Sequence, residues 1–398
     1  MPSALLQRLR TIALPPGVQM MWPALLATYF IVSMLLDRLS GWHVGSVHAL
    51  LAGTALAVLI FRQQARIIAL FFLVLLVAIA WMSFRDVVQG AGWKASERTI
   101  KAALLVLGML ACCRLPLPVW KATLAAVIPC GLAIMLAYIG PDQLVRALLM
   151  PFELATKNGL ETQMNRNGLA LPLGLLTCWT VAAVFQIRPA WPWLLPASAL
   201  LVLMVANGSR NALAALVVAI LVMLFGSHPR KVLFAGLAML FAAFMIQYLF
   251  PGYWVHNGTL LNHRDVIWGE VFRHLPEHLW SGAGSAYFRQ SITPGLPEPF
   301  TIAHNAYLDF LLAYGVIGVV LLTGAGMVLA RLVQVQPLNP QAIWLYGSFG
   351  FLTMVGLFDR GHLDALMLAA ILMLPVMFMA MGKAVKLRGV KRGAEFNY

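Results

Sequence analysis

The stretch from Ile67 to Ser83 reads IIALFFLVLLVAIAWMS, seventeen residues without a charge. As a helix it rises about 25 Å, close to the roughly 30 Å of a bilayer's hydrocarbon core. Its apolar residues are continuous rather than alternating, which argues against a strand of a membrane β-barrel. Working outward, similar runs recur at about 19–36, 47–61, 100–113, 117–139, 168–186, 190–206, 211–227, 231–250, 305–330, 340–358 and 363–382, twelve in all. Several are shorter than the roughly 20 residues of a full crossing and are expected to be tilted, broken or re-entrant. Composition agrees: of 398 residues 61% are hydrophobic and 11% charged, whereas a soluble domain carries about a quarter charged residues. A soluble enzyme and a disordered chain are thereby excluded. Four cysteines are too few for a disulfide scaffold; Cys112, Cys113, Cys130 and Cys178 lack metal-site spacing and read as small buried hydrophobes. The sequence predicts an all-α polytopic protein, one integral membrane domain over 1–398 with about 12 transmembrane helices. No cleavable signal peptide is expected, since Met1 to Pro16 is a short amphipathic lead carrying Arg8 and Arg10.

Charge orients the chain. With the N-terminus inside and the spans alternating, fifteen of the 28 Lys and Arg fall on the inner side: Arg8, Arg10, Arg62, Arg66, Arg114, Lys121, Arg188, Arg230, Lys231, Arg331, Lys383, Lys386, Arg388, Lys391 and Arg392. Only Glu395 opposes them, and the other thirteen cations face thirteen acids outside. The whole net charge of +14 therefore sits on one side, the positive-inside pattern, with both termini inside. This removes nucleic acid as a partner: the inner cations orient the protein and meet anionic membrane lipids.

Two outer loops are long, 140–167 and 251–304. The second holds Arg264, Arg273, Arg289 and five of the nine His (256, 263, 274, 278 and 304). Tyr253, Trp254, Trp268, Phe272, Trp280, Tyr287 and Phe288 argue against disorder there. Asn262 to Leu279 is expected to form an amphipathic helix on the outer surface.

Several residues in these loops have two readings. Arg210, in the short link Asn207-Gly208-Ser209-Arg210-Asn211, either snorkels to the interface or holds an anion. His304 opens a long apolar run and is either an interfacial His bonded to backbone or a general base. Arg264 either pairs with Asp265 on a wet surface or binds a ligand, and Arg289 is open in the same way. Asp309 and Asp364, one turn inside helix ends, either orient a neighbouring Arg or His or face the interface. His274-Leu275-Pro276-Glu277-His278 matches H-x-x-E-H formally, but Pro276 disfavours the helix interior that a zinc site needs, so no metal is assigned. There is no P-loop and no D-x-D, and mid-span ionisable residues are few.

The string His304-Asn305, nine residues, then Gly315-Val316-Ile317-Gly318 fits H-[NSQ]-x9-G-x-x-[GTY], and in this the chain resembles the O-antigen ligases of Gram-negative bacteria. Ser209-Arg210 is similar to the Ser-Arg that opens their R-x3-L motif, with Ala214 at the Leu position. Asn165-Arg166-Asn167-Gly168 resembles the Asn-containing turn of ligases and polymerases in this superfamily. Arg264, Trp268, Pro276 and Ser281-Gly282-Ala283-Gly284 resemble the loop helix and its Gly-x-Gly exit. The resemblance spans about 160–380.

The resemblance implies a lipid-carrier glycosyltransferase (GT-C-like) architecture in the inner membrane, with the 251–304 loop periplasmic and carrying part of the active site. It implies transfer of an O-antigen glycan from undecaprenyl pyrophosphate to the terminal sugar of lipid A–core oligosaccharide, without metal or cofactor. His304 would be the base and Arg210 the catalytic cation. Arg264, Arg289, Arg166 and Asn305 would bind substrate. Rival readings are an O-antigen polymerase or protein O-oligosaccharyltransferase of the same superfamily and, in a different class, a lipid-linked glycan flippase.

Overall fold

The computed structural model describes residues 16–40, 43–90, 94–157, 160, 166–227, 264–295, 303–335, 343–358 and 365–379. The lead through residue 15, the expected span at 231–250, the loop up to His263, Asp364 and the basic tail lie outside them. The described residues form the helices α1 Pro16–Ser40, α2 His43–Phe61, α3 Ala65–Val88, α4 Lys94–Cys112, α5 Leu117–Ile139, α6 Pro141–Leu149, α7 Pro151–Lys157, α8 Arg166–Gln186, α9 Trp191–Asn207, α10 Arg210–Ser227, α11 Arg264–His278, α12 Ala306–Val335, α13 Ile343–Phe358 and α14 Ala365–Met379. Eleven of the twelve apolar segments thus fall on helices. Among the described residues four stretches are long and apolar enough to cross a membrane: Val47–Val88, Leu117–Ile139, Asn167–Gln186 and Ala306–Gln334. The first is broken by a 3-10 turn at Arg62–Gln64, where Phe61 and Gln64 leave helical geometry.

Close approach at small residues brings the helices together, as packing between helices in lipid requires. A Cβ on Gly53 of α2 or Gly108 of α4 would strike the Phe30 ring of α1, and one on Gly174 of α8 would stand 2.1 Å from Phe351 of α13. At the centre the buried Trp120 and Trp344 stack at 4.8 Å, and Trp179 meets Trp344 edge-on. Two of the three indoles have their N–H groups satisfied: Trp120 donates to Gln186 and Trp179 to Ser348, at 2.9 and 2.8 Å. Cys112, Cys113 and Cys178 are buried as expected, whereas Cys130 is exposed on α5.

Residues that charge assigns to one side meet in space. Arg114 donates to the Leu332 carbonyl at 2.8 Å, near Arg331. At the other end Arg85 donates to the Gly282 carbonyl of the long loop. The same loop contains the expected amphipathic helix, observed as Arg264–His278. It runs through Pro276, as the expected span Asn262 to Leu279 implies. Pro276 lies in the last turn, so the only helical bond lost is to the carbonyl of Phe272, a residue on the exposed face.

Candidate active site

Two corners of the molecule carry the residues singled out in the sequence. The first is the α9–α10 link. Gly208 ends α9 in the left-handed region (φ 70°) and lies so close to α7 that a Cβ would stand 2.8 Å from the Ala155 carbonyl oxygen. Glycine is the residue that turns the chain there without penalty. Ser209 follows, and its hydroxyl donates to Asn167 Oδ1 at 3.0 Å. The Ser-Arg link and the Asn-containing turn at the start of α8, separate in sequence, are therefore one structure. Arg210, half-buried, is the first residue of α10. Arg166 is the first residue of α8, one position before Asn167.

The second corner is Ala303-His304-Asn305, which leads into α12. Asn305 caps that helix: its Oδ1 accepts the N–H groups of Tyr307 and Leu308, each at 3.0 Å. Asp309, one turn on and buried, accepts the Ala303 N–H at 3.1 Å. The Ala303 carbonyl accepts from Trp268 Nε1 of α11 at 2.9 Å. Asp309 therefore fixes His304 through the main chain of its neighbour. Held on both sides, His304 adopts φ 52°, a strained left-handed backbone for a non-glycine residue. Such strain persists only where the surroundings over-determine it, and it gathers at functional sites.

The loop helix joins this corner. Ile267 and Val271 of α11 pack with Phe288, Ile292, Ala303 and Leu312 in a small cluster, with Trp268, Tyr287 and Leu308 around it. Arg264, 9% exposed, stands one turn before Trp268 on the same helix. Arg289, by contrast, is exposed on the turn Phe288–Ile292. His274 and His278 are engaged with their own helix and Tyr287: His274 Nδ1 lies 3.0 Å from the Tyr287 hydroxyl, its Nε2 lies 3.5 Å from Glu270, and the His278 ring meets Tyr287 edge-on. Partial burial holds His278 below the usual imidazole value; Glu277 opposes that shift, and Arg85 and His274 reinforce it.

The two corners lie at one end of α13. Gly347 of α13 faces Met223 of α10, and Gly350 faces Ala219 and Val222, so the two helices run antiparallel. The N-terminus of α10, with Arg210, therefore lies toward the C-terminus of α13. At that same end the Tyr307 hydroxyl donates to the Thr353 carbonyl at 3.0 Å, and the Tyr307 ring borders Gly356. Tyr307 is three residues beyond His304. An always-charged guanidinium and an imidazole on rigid helix ends can respectively hold a phosphate and take a proton.

The class these features define is a protein that is helical throughout its described residues, with helices apolar enough for a bilayer and an imidazole and guanidinium groups toward one end. Residues 195–323, a stretch that includes both corners, match the sequence model of the O-antigen ligase family. An O-antigen ligase of Pseudomonas aeruginosa (strain PAO1) is 32% identical over 123 residues, which are 30% of this chain and 29% of that protein. Both matches place the stretch that holds these corners among sequences similar to O-antigen ligases, and the matched stretch spans under a third of that relative's length.

Sequence reasoning missed Asp86 and Tyr314, which tie α3 to the loop and to α12 at this end. The available signal was a carboxylate closing a long apolar run, at Arg85-Asp86.

Proposed function

We propose that this chain is a glycosyltransferase that moves an O-antigen glycan from undecaprenyl pyrophosphate to the terminal sugar of lipid A–core oligosaccharide, at the periplasmic face of the inner membrane. The observation that carries this reading is the placement of His304 and Arg210 at one end of α13, inside the stretch that matches the O-antigen ligase family. The acceptor hydroxyl attacks C1 of the donor glycan while His304 takes its proton. The C1–O bond breaks, and its electron pair leaves with the pyrophosphate. Arg210 and Arg264 neutralise the charge gained by that leaving group, bidentately and without titrating near neutral pH. Arg166 and Arg289 bind donor or acceptor phosphates. A base on one face of the sugar and the leaving group on the other give a single inverting displacement. With guanidinium groups to carry the charge, the reaction runs without metal.

The test is a transfer assay with purified protein, carrier-linked glycan and lipid A–core in EDTA, comparing wild type with His304→Ala and Arg210→Ala. Transfer by wild type and a loss of at least ~100-fold in both variants, still folded, is the expected result. Extension of the carrier-linked glycan without transfer to lipid A–core would mark a polymerase instead. Near-full activity of His304→Ala would remove the base assignment.

A further inference from the structure

The last turns of α3 grip the long loop and α12 together. Asp86 is 1% exposed at the end of an apolar stretch. A carboxylate buried there is costly unless its oxygens are bonded. Its partners come from far along the chain: Oδ1 accepts the Ser285 N–H at 2.9 Å, and the Tyr314 hydroxyl donates to Oδ2 at 3.2 Å. One residue away Arg85 donates to the Gly282 carbonyl, and one turn back Trp81 donates to the Tyr314 carbonyl at 3.0 Å. The two segments gripped are also laddered to each other. α12 breaks at Gly315 (φ 66°, ψ −174°), which frees backbone groups on both sides of the break. Ala283 and Gly284 donate to the carbonyls of Leu312 and Ala313, both at 2.7 Å, while Val316 and Ile317 donate to those of Leu279 and Trp280. The arm of α12 from Ala306 to Tyr314 carries the His304 corner at its tip. Asp86 holds the base of that arm and the turn laddered to it.

We propose that Asp86 is a positioning residue for glycan transfer: by bonding Ser285 and Tyr314 it sets the α12 arm so that His304 stays in register with Arg210. This rests on the functional reading above. Bonding, rather than charge, is what the geometry requires. Asp86→Asn keeps both contacts, because its carbonyl accepts from Ser285 and its amide donates to the Tyr314 hydroxyl, an acceptor as well as a donor. Asp86→Ala loses both, and Tyr314→Phe loses one.

The experiment uses the full chain in lipid nanodiscs, with steady-state transfer and amide hydrogen exchange measured on each variant. Asp86→Ala is expected to lower kcat at least ~10-fold with KM for donor and acceptor within about twofold, the signature of a misplaced reacting group rather than lost binding. Amide exchange at Ala283, Gly284 and Ser285 should quicken at least ~10-fold while α8 and α13 keep their protection. Asp86→Asn should restore both readouts to within about threefold of wild type, and Tyr314→Phe should fall between. Where Asp86→Ala does not fold, Tyr314→Phe and Asp86→Asn decide. Wild-type kcat in Asp86→Ala, unchanged exchange at Ser285, or failure of Asn to restore transfer would each overturn the proposal. Absence of transfer by wild type would instead overturn the functional reading, because a displaced arm cannot explain an inactive parent.

Discussion

The Arg210 corner and the His304 corner are built by opposite means. Arg210 sits where two helices meet end to end, and one glycine and one side-chain hydrogen bond from Ser209 to Asn167 shape its turn. His304 sits on a loop clasped from three sides, by Trp268, Asp309 and the Asn305 cap, on an arm laddered to a neighbouring turn. The cation therefore inherits its place from the helix bundle, whereas the imidazole inherits its place from the loop. Damage should follow that division: changes to the ladder should strike the His304 corner hard, and changes to the α9–α10 link should be milder.

The largest effect is expected at Gly315. A Cβ there would lie 2.3 Å from the Trp280 carbonyl oxygen, on a backbone that only glycine adopts readily. Gly315→Ala should cost about 3 kcal/mol or more and abolish transfer, read by thermal unfolding and by the transfer assay. The matching change at the other corner, Gly208→Ala, meets the Ala155 oxygen at 2.8 Å and a left-handed backbone. It should cost about 1–2 kcal/mol and leave measurable transfer. If Gly208→Ala proved the more damaging, the division between the two corners would be wrong.

Single hydrogen bonds sharpen the contrast. Trp268→Phe keeps the packing of α11 and removes the bond to Ala303, and Ser209→Ala removes the bond to Asn167. Each should cost about 1 kcal/mol of stability. Trp268→Phe should lower kcat by about tenfold, because it frees the backbone beside His304, and Ser209→Ala by less. Asn305→Asp keeps both capping bonds, since its carboxylate accepts as the amide oxygen does. Retained transfer in that variant would show that Asn305 serves the helix; lost transfer would give its amide a part in binding substrate.

The smallest effect concerns pH. His278 is held below the usual imidazole value, so the unfolded chain binds that proton more readily than the folded one. Its contribution is full above the ordinary imidazole pKa and declines as pH falls through that value. Protection factors at the C-terminal turn of α11, corrected for the intrinsic exchange rate, should fall slightly on acidification, and His278→Gln should flatten that dependence.

Much of this was legible in the sequence because hydrophobic length is read locally. Ile67–Ser83 needs no partner to declare itself a helix for a bilayer, and the amphipathic Asn262–Leu279 lies within two residues of the observed α11. The glycines at 282, 284 and 315 were visible as a pattern, but the ladder that explains them joins positions about 30 residues apart. The bond between Ser209 and Asn167 spans 42 residues and those of Asp86 about 200. No local rule predicts which distant backbone group a buried carboxylate will find, and this is why Asp86 was missed.

The break in α12 also sets where the molecule can be divided. Because the carbonyls freed at Gly315 are taken up by the turn after α11, the hydrogen-bonded ladder reaches Ile317, some way into what the sequence presents as a span. A chimera that exchanged the loop alone, cut at the start of α12, would carry over half a ladder and leave the other half facing a stranger. Grafting a relative's specificity onto this chain therefore calls for junctions before Arg264 and beyond Ile317, with Arg85 and Asp86 carried along to receive it.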